Sequence, residues 1–501
     1  MSGTTNRAGR RRSRLRWLGG ALTALTALAL SACAHSAVPP GSATTATAQH
    51  AGPAISATAS ASPPARAPSD IARECRGEAA VGGEPLRFDW EKTVARGPFA
   101  AINALAATLD GVLVAGGESR EREQSEAFVA AFDADGHERY RVTLDQPRST
   151  TRPPRARAVA VAATTSGDAY VVSTASHVDG SGTVALSLVD ARGDLRFSVP
   201  VALSTRSEPS LVVEPNGDVI VAGFVPSGQE FTVFKQTQAG ARVWTKTYAL
   251  PCDTLRLVRV GQRLLLVGSL HGTGQFGATR LAQTEKVEFQ CAGDPHPCEG
   301  PALSLLVAEL GPTGEPLRAR LLGPPSGRVS VSDVAVAGDA VLVTGEYQGP
   351  PSELGKVALC ELEGGMPEPE SRIFHELGGG PYCSCRLDRR DLFLLALDAE
   401  GEPRWAKTLA LGVPNPRVRA GAKGEIRWVA EGPAVASASG PAVASASRPS
   451  ADVSSQVSLW SVDAGGVVGT RQATAGSLSQ MAAGPSAVYL SDQRVLRKAS
   501  W

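Results

Sequence analysis

Short apolar runs alternate with polar turns along most of this chain. Residues 393–397 read FLLAL, the turn Asp398-Ala399-Glu400-Gly401 follows, and a half-polar run then carries Trp405 and Lys407. An apolar run, a tight turn and a second short run predict a β-hairpin. The turn recurs as Asp133-Ala134-Asp135-Gly136, Asp190-Ala191-Arg192-Gly193 and Asp463-Ala464-Gly465-Gly466, and in altered form as Thr237-Gln238-Ala239-Gly240 and Gly311-Pro312-Thr313-Gly314. Asp at the first position can accept from the backbone two residues on, and Gly at the last can take a left-handed conformation. That composition predicts a hairpin loop with a bulge. An aromatic lies at the same offset beyond four of these glycines, as Tyr140, Phe197, Trp244 and Trp405.

A second type of turn precedes each hairpin. Gly111, Gly167, Gly217, Gly261, Gly338, Gly424 and Gly484 each lead into a short apolar run, as in GDVIVAG at 217–223. These runs are apolar on both faces, which predicts strands buried between stacked sheets. They recur about 45 to 60 residues apart, with two intervals of about 77 and 85. Four strands per unit at this period predict a propeller blade, and seven units predict an all-β, seven-bladed propeller over residues 80–501. An open array or a β-sandwich is the alternative. WEKT at 90–93 matches WAKT at 405–408 and WTKT at 244–247, but no inner strands precede it. The last unit lacks such a strand. The N-terminal strand is therefore expected to complete the C-terminal blade and remove a free edge.

The first 32 residues have a different character. Arg7, Arg10, Arg11, Arg12, Arg14 and Arg16 precede a short apolar stretch at 17–30. Such a segment predicts export rather than a membrane span. It ends in Leu30-Ser31-Ala32-Cys33, which resembles the bacterial lipobox. The resemblance implies cleavage before Cys33, a lipid on its thiol, and anchoring in the cell envelope. With Ala34 rather than Asp next, it implies the outer membrane. A plain secretory signal is the alternative. Residues 33–79 are rich in Ala, Ser, Thr and Pro, and predict a disordered tether.

Charge narrows the partners. The chain has 50 basic and 49 acidic residues, and loss of residues 1–32 leaves 44 and 49, a net of −5. A mildly acidic balance without a basic cluster argues against a nucleic-acid partner.

Three long connections, at about 269–302, 346–390 and 431–455, each join the second and third strands of a unit. They share one face, where inserts often build a binding surface. The third contains the octapeptide GPAVASAS twice, at 432–439 and 440–447, and reads as drift. The first two carry Cys291, Cys298, Cys360, Cys383 and Cys385, and Cys252 is read into a connection between units on the same face. Disulfides are the expectation for an exported protein, with Cys291–Cys298 and Cys360 with Cys383 or Cys385 as candidate pairs. A metal site on Cys291, His296 and Cys298, or on Cys383 and Cys385, is the alternative, although neither set has paired C-x-x-C spacing.

No H-E-x-x-H, G-x-S-x-G or P-loop pattern occurs. The histidines are scattered, and Asp133 with Asp135 reads as a turn rather than a calcium loop. The alternation of GDVIVAG with FLLALDAEGEPRWAK resembles the SBBP-type propeller repeats of bacterial surface lipoproteins, which are frequent in myxobacteria. The hairpin at 397–405 also resembles the quinoprotein-type repeat, with one residue fewer between Asp and Gly. These resemblances imply a lipid-anchored envelope propeller. With the inserts on one face and no catalytic motif in the residues, the expectation is a monomer that binds a protein or glycan on its insert-bearing face, with no cofactor and no catalytic residues. Two alternatives stand beside it. One is an assembly scaffold similar to the quinoprotein-like lipoprotein of the outer-membrane β-barrel assembly machine. The other is a propeller enzyme, a quinoprotein or a hydrolase.

Overall fold

The computed structural model describes residues 84–121, 124–144, 155–176, 182–205, 208–228, 230–290, 297–324, 327–348, 352–354, 357–359, 391–409, 416–420, 426–433, 455–463, 466–474, 480–484 and 486–500. All of them lie in the compact unit Ala65–Trp501. They form a β-propeller built from antiparallel four-stranded sheets, each following the chain from inside to outside.

The first sheet comprises Ala101–Ala107, Gly111–Glu121, Gln124–Asp133 and Glu138–Leu144. The second comprises Arg155–Ala163, Ala169–Ser176, Gly182–Val189 and Leu195–Val201. A single bridge, Ser125 to Arg155, joins the two. The third comprises Ser210–Val213, Val219–Phe224, Phe231–Gln236 and Arg242–Tyr248. The fourth comprises Cys252–Val260, Arg263–Leu270, Ser304–Leu310 and Pro316–Leu322. The fifth comprises Arg328–Ala337, Ala340–Gln348, Asp391–Leu397 and Pro403–Leu409. The sixth comprises Arg417–Ala420, Ile426–Pro433, Ser455–Asp463 and Gly466–Thr474. The seventh comprises Gln480–Ala483, Ala487–Ser491, Val495–Ser500 and, from the other end of the chain, Trp90–Thr93.

The N-terminal segment thus binds two sheets in succession. Glu84–Pro85 runs parallel to the outer strand of the sixth sheet, and Trp90–Thr93 pairs antiparallel with Val495–Ser500. Arg497 adds an ion pair to Glu91 at 2.6 Å. First strands of successive sheets pack on one another, and the first strand of the seventh sheet packs on that of the first.

The core lies between sheets, as the two-sided apolar runs predict. Val112, Val114, Tyr170, Val172, Val219, Val221, Val341 and Val343 are essentially without solvent exposure. Each cluster of buried side chains takes residues from neighbouring sheets, such as Val267 and Val307 with Val331 and Phe393. Burying one such side chain contributes about 1.5–3 kcal/mol.

The predicted turns form with their chemistry intact. Asp133 Oδ1 accepts from the backbone N–H of Asp135 at 2.9 Å and of His137 at 2.8 Å. Asp190 does the same with Arg192 and Asp194, both at 2.9 Å. The register slips by one residue beside each turn, which is the expected bulge. The turn glycines Gly136, Gly193, Gly240, Gly314 and Gly401 have φ between 76° and 92°. Each of the first four also sits against an aromatic ring on the fourth strand of the preceding sheet. A methyl group on Gly193 would stand 2.8 Å from Tyr140, and on Gly314, 2.7 Å from Trp244. Trp90 meets Gly136 of the first sheet in the same way, at 3.0 Å, and its Nε1 donates to Ala134 O at 3.0 Å. Tyr140, Phe197, Trp244 and Trp90 are therefore sheet-to-sheet packing residues.

Candidate functional site

A cavity of about 590 Å³ is lined by the first strand of every four-stranded sheet. The strand order fixes its polarity. Each first strand begins on the face that carries the long inserts and ends at a Gly-containing turn on the opposite face. Polar residues come early in several strands and apolar ones late: Asn103 before Leu105, Glu208 before Leu211, Arg256 before Val258, Asp333 before Val334. Arg259 also lines the late end, where it is paired with Glu214 at 2.9 Å. The cavity thus has a charged end toward the inserts and a mainly apolar end away from them.

The first strands of the first, second, fourth and fifth sheets each carry a bulge, at Asn103, Val159, Asp253 and Ser332. In the first, fourth and fifth sheets a first-strand carbonyl lies so close to the second strand that only glycine fits there, whereas the second sheet has Ser173 opposite its bulge. A Cβ on Gly116 would lie 2.1 Å from Ala101 O, and on Gly345, 1.8 Å from Ser330 O. This is the physical reason the apolar runs end in glycine at 116, 268 and 345.

Three arginines and two carboxylates meet at the charged end. Arg256 donates to Glu208 Oε2 at 2.6 Å and to Glu208 O at 3.2 Å. Arg419 pairs with Asp333, and Asp333 also accepts from Val418 N at 3.1 Å and Val334 N at 3.0 Å. Each carboxylate is therefore held by one arginine. Desolvation opposes ionisation of Glu208, yet the charges of Arg256 and Arg417 hold its carboxyl below the usual range. Arg417 is left over. It makes no hydrogen bond or ion pair to the described residues, and its Nε is buried without a partner. Burial lowers its pKa, against the opposing pull of Asp333 and Glu208. Asn103 and Ser210 are committed to the frame. Asn103 Nδ2 donates to Ala158 O at 2.9 Å, while Ser210 Oγ donates to Leu257 O at 3.1 Å and accepts from Leu257 N at 3.0 Å.

The residues singled out from sequence lie elsewhere. Cys33, Cys75, Cys291, Cys360, Cys383 and Cys385 are outside the described residues. Cys298 lies in the strand Pro297–Pro301, where it pairs with Phe289. No disulfide occurs among the described residues. Cys252 is not in a connection, as expected from sequence, but opens the first strand of the fourth sheet, where it is buried and free. Burial pushes its thiol pKa well up, so it is unreactive. The first long insert forms two hairpins, Gly272–Phe276 with Thr279–Gln283 and Lys286–Gln290 with Pro297–Pro301. Asp133, Asp135 and His137 bring oxygen and nitrogen atoms within 4.8 Å of one another on the surface. The Asp133 carboxylate there is engaged by the turn, as the sequence reading holds.

The charged end of the cavity was missed in the sequence. Its residues span Asn103 to Gln480, one or two per unit, so no local motif links them. The available signal was a charged residue just before the apolar part of some inner strands, as in Arg256 and Asp333.

No family model matches the chain, and no curated protein matches it. Solved structures do. The WD40 domain of Pan2 from Neurospora crassa is similar at 9% identity and a TM-score of 0.43, over 83% of this chain and 97% of that one. The β-propeller domain of the Trilobed protease from Pyrococcus furiosus is similar at 10% identity and a TM-score of 0.39, over 78% and 91%. Pyrococcus horikoshii acylaminoacyl peptidase is similar at 12% and 0.39, over 79% of this chain and 52% of that one. The propeller assignment rests on the strand pairings above, and these likenesses add nothing about ligand or activity.

Proposed function

We propose that the chain is a lipid-anchored envelope protein whose seven sheets close into a ring, and that it acts by binding a ligand in the central cavity and on the insert-bearing face. The observation that supports it most is the charged end of the cavity. Each carboxylate is paired with an arginine, Asp333 is also held by two main-chain donors, and the Ser210 hydroxyl is locked to Leu257. Fixed, satisfied dipoles beside one unpaired guanidinium are the chemistry of recognition, whereas general acid–base work needs a group free to exchange a proton. Closure is supported by the N-terminal strand, which takes the fourth position of the last sheet and places Trp90 where Tyr140, Phe197 and Trp244 stand in others. Anchoring is supported by the lipobox-like Leu30-Ser31-Ala32-Cys33 and the 33–79 tether.

Mass spectrometry of the protein purified from its own membrane tests both parts. Denatured, it is expected to begin at Cys33 with a diacylglyceryl adduct. In native spectra it is expected to retain a small molecule that denaturation releases unchanged. An unmodified Cys33 or a chain retaining residues 1–32 sinks the anchor. Steady conversion of the released molecule by the protein replaces the binding reading with an enzyme.

A further inference from the structure

The ligand class can be narrowed from the cavity itself, on the premise that this cavity is the binding site proposed above. We propose that it takes an amphiphilic monocarboxylate, with the carboxylate on Arg417 and an alkyl or similar apolar tail directed toward the opposite end. Glu208 and Asp333 are each neutralised by a dedicated arginine, so Arg417 is a surplus positive charge with an unpartnered Nε. An unpaired charge removed from water is unfavourable, and an anion from outside relieves it. The guanidinium fork fits a carboxylate through two parallel hydrogen bonds. The surplus is a single charge, and the two fixed carboxylates nearby oppose a dianion such as phosphate. The apolar end supplies the second half of the fit. Val161, Leu211, Val213, Val334 and Val336 line the cavity and are only partly buried, so a tail would remove them from water. The volume of about 590 Å³ suits a small ligand with such a tail.

Isothermal titration of the full mature protein with octanoate tests the assignment. Octanoate is expected to bind, with acetate, octylammonium and 1-octanol at least ~10-fold weaker. Arg417→Gln should weaken octanoate by at least ~10-fold and leave octanol unchanged, with Arg417→Lys in between. Val336→Asp, at the apolar end, should weaken octanoate while sparing acetate. Because the comparison among probes uses the unaltered protein, it stands even if Arg417→Gln fails to fold. Octanol binding as tightly as octanoate, octylammonium binding better, or an unchanged affinity in a folded Arg417→Gln would overturn the proposal. A retained native ligand together with no octanoate binding would also overturn it, while leaving the binding reading in place.

Discussion

At the residue scale the architecture rests on a few side chains that join one sheet to the next. Tyr170 is fully buried and its hydroxyl donates to Gly217 O at 2.8 Å across two sheets. Tyr170→Phe leaves that carbonyl without its partner and should cost about 1 kcal/mol, read by denaturant unfolding. Burial raises the Tyr170 phenol to about 12, and Tyr140 likewise. A raised acid favours the neutral form in the fold. Its contribution is full below the ordinary tyrosine value near 10 and is lost as pH climbs from there toward about 12. Unfolding midpoints should therefore hold to about pH 10 and fall beyond it, and in Tyr170→Phe that fall should be shallower. A Cβ on Gly345 meets a fixed backbone oxygen. Gly345→Ala should cost at least about 1–3 kcal/mol, seen as a lowered melting temperature. Much of this scale was legible: Asp133, Asp190 and the glycines after them announce their turns because the hydrogen bonds involved are local. The glycines at 116, 268 and 345 announce only a strand. Their cause, a carbonyl of the neighbouring inner strand at close range, depends on a partner the local sequence does not name.

Elements obey a simpler logic. Runs apolar on both faces became second and third strands, buried on both sides, and half-polar runs such as Arg242–Tyr248 became outer strands. The strand Trp90–Thr93 has no hairpin partner nearby; its likeness to WAKT at 405–408 points to an outer strand position, and it pairs with Val495–Ser500. Deleting residues 84–94 should leave Val495–Ser500 as an open edge and strip Trp90 from Gly136. Size-exclusion chromatography with light scattering is expected to show soluble oligomers or aggregate instead of a monomer. A monomeric, equally stable deletion would mean that the strand is dispensable. The turn carboxylates act together at this scale. Backbone donors, His137 N for Asp133 and Asp194 N for Asp190, hold both below the ordinary carboxylate value of 3.8. A depressed acid stabilises the fold above that value and loses its effect as pH falls through its folded pKa. Acid unfolding should therefore begin below about pH 4, and Asp133→Asn with Asp190→Asn should flatten it.

The whole molecule is where sequence reading stops short of the site. A cavity lined by seven strands from Asn103 to Gln480 comes into being only when the sheets are arranged about one axis, and its charged members are too far apart in sequence to signal one another. The proposed closure of the sheets into a ring is the central claim, and it makes residues near opposite ends of the chain neighbours. Glu91 and Arg497 are directly paired across strands, with their side chains in contact. Glu91→Cys with Arg497→Cys, in a background whose other cysteines are changed to Ser, should oxidise rapidly to a disulfide within one molecule. The monomer should keep its mass less about two daltons for the lost hydrogens, and its melting temperature should rise, since the bridge closes a very long loop. Failure to cross-link in a folded protein, or a covalent dimer formed by strand exchange, would contradict the closed ring and with it the cavity at its centre.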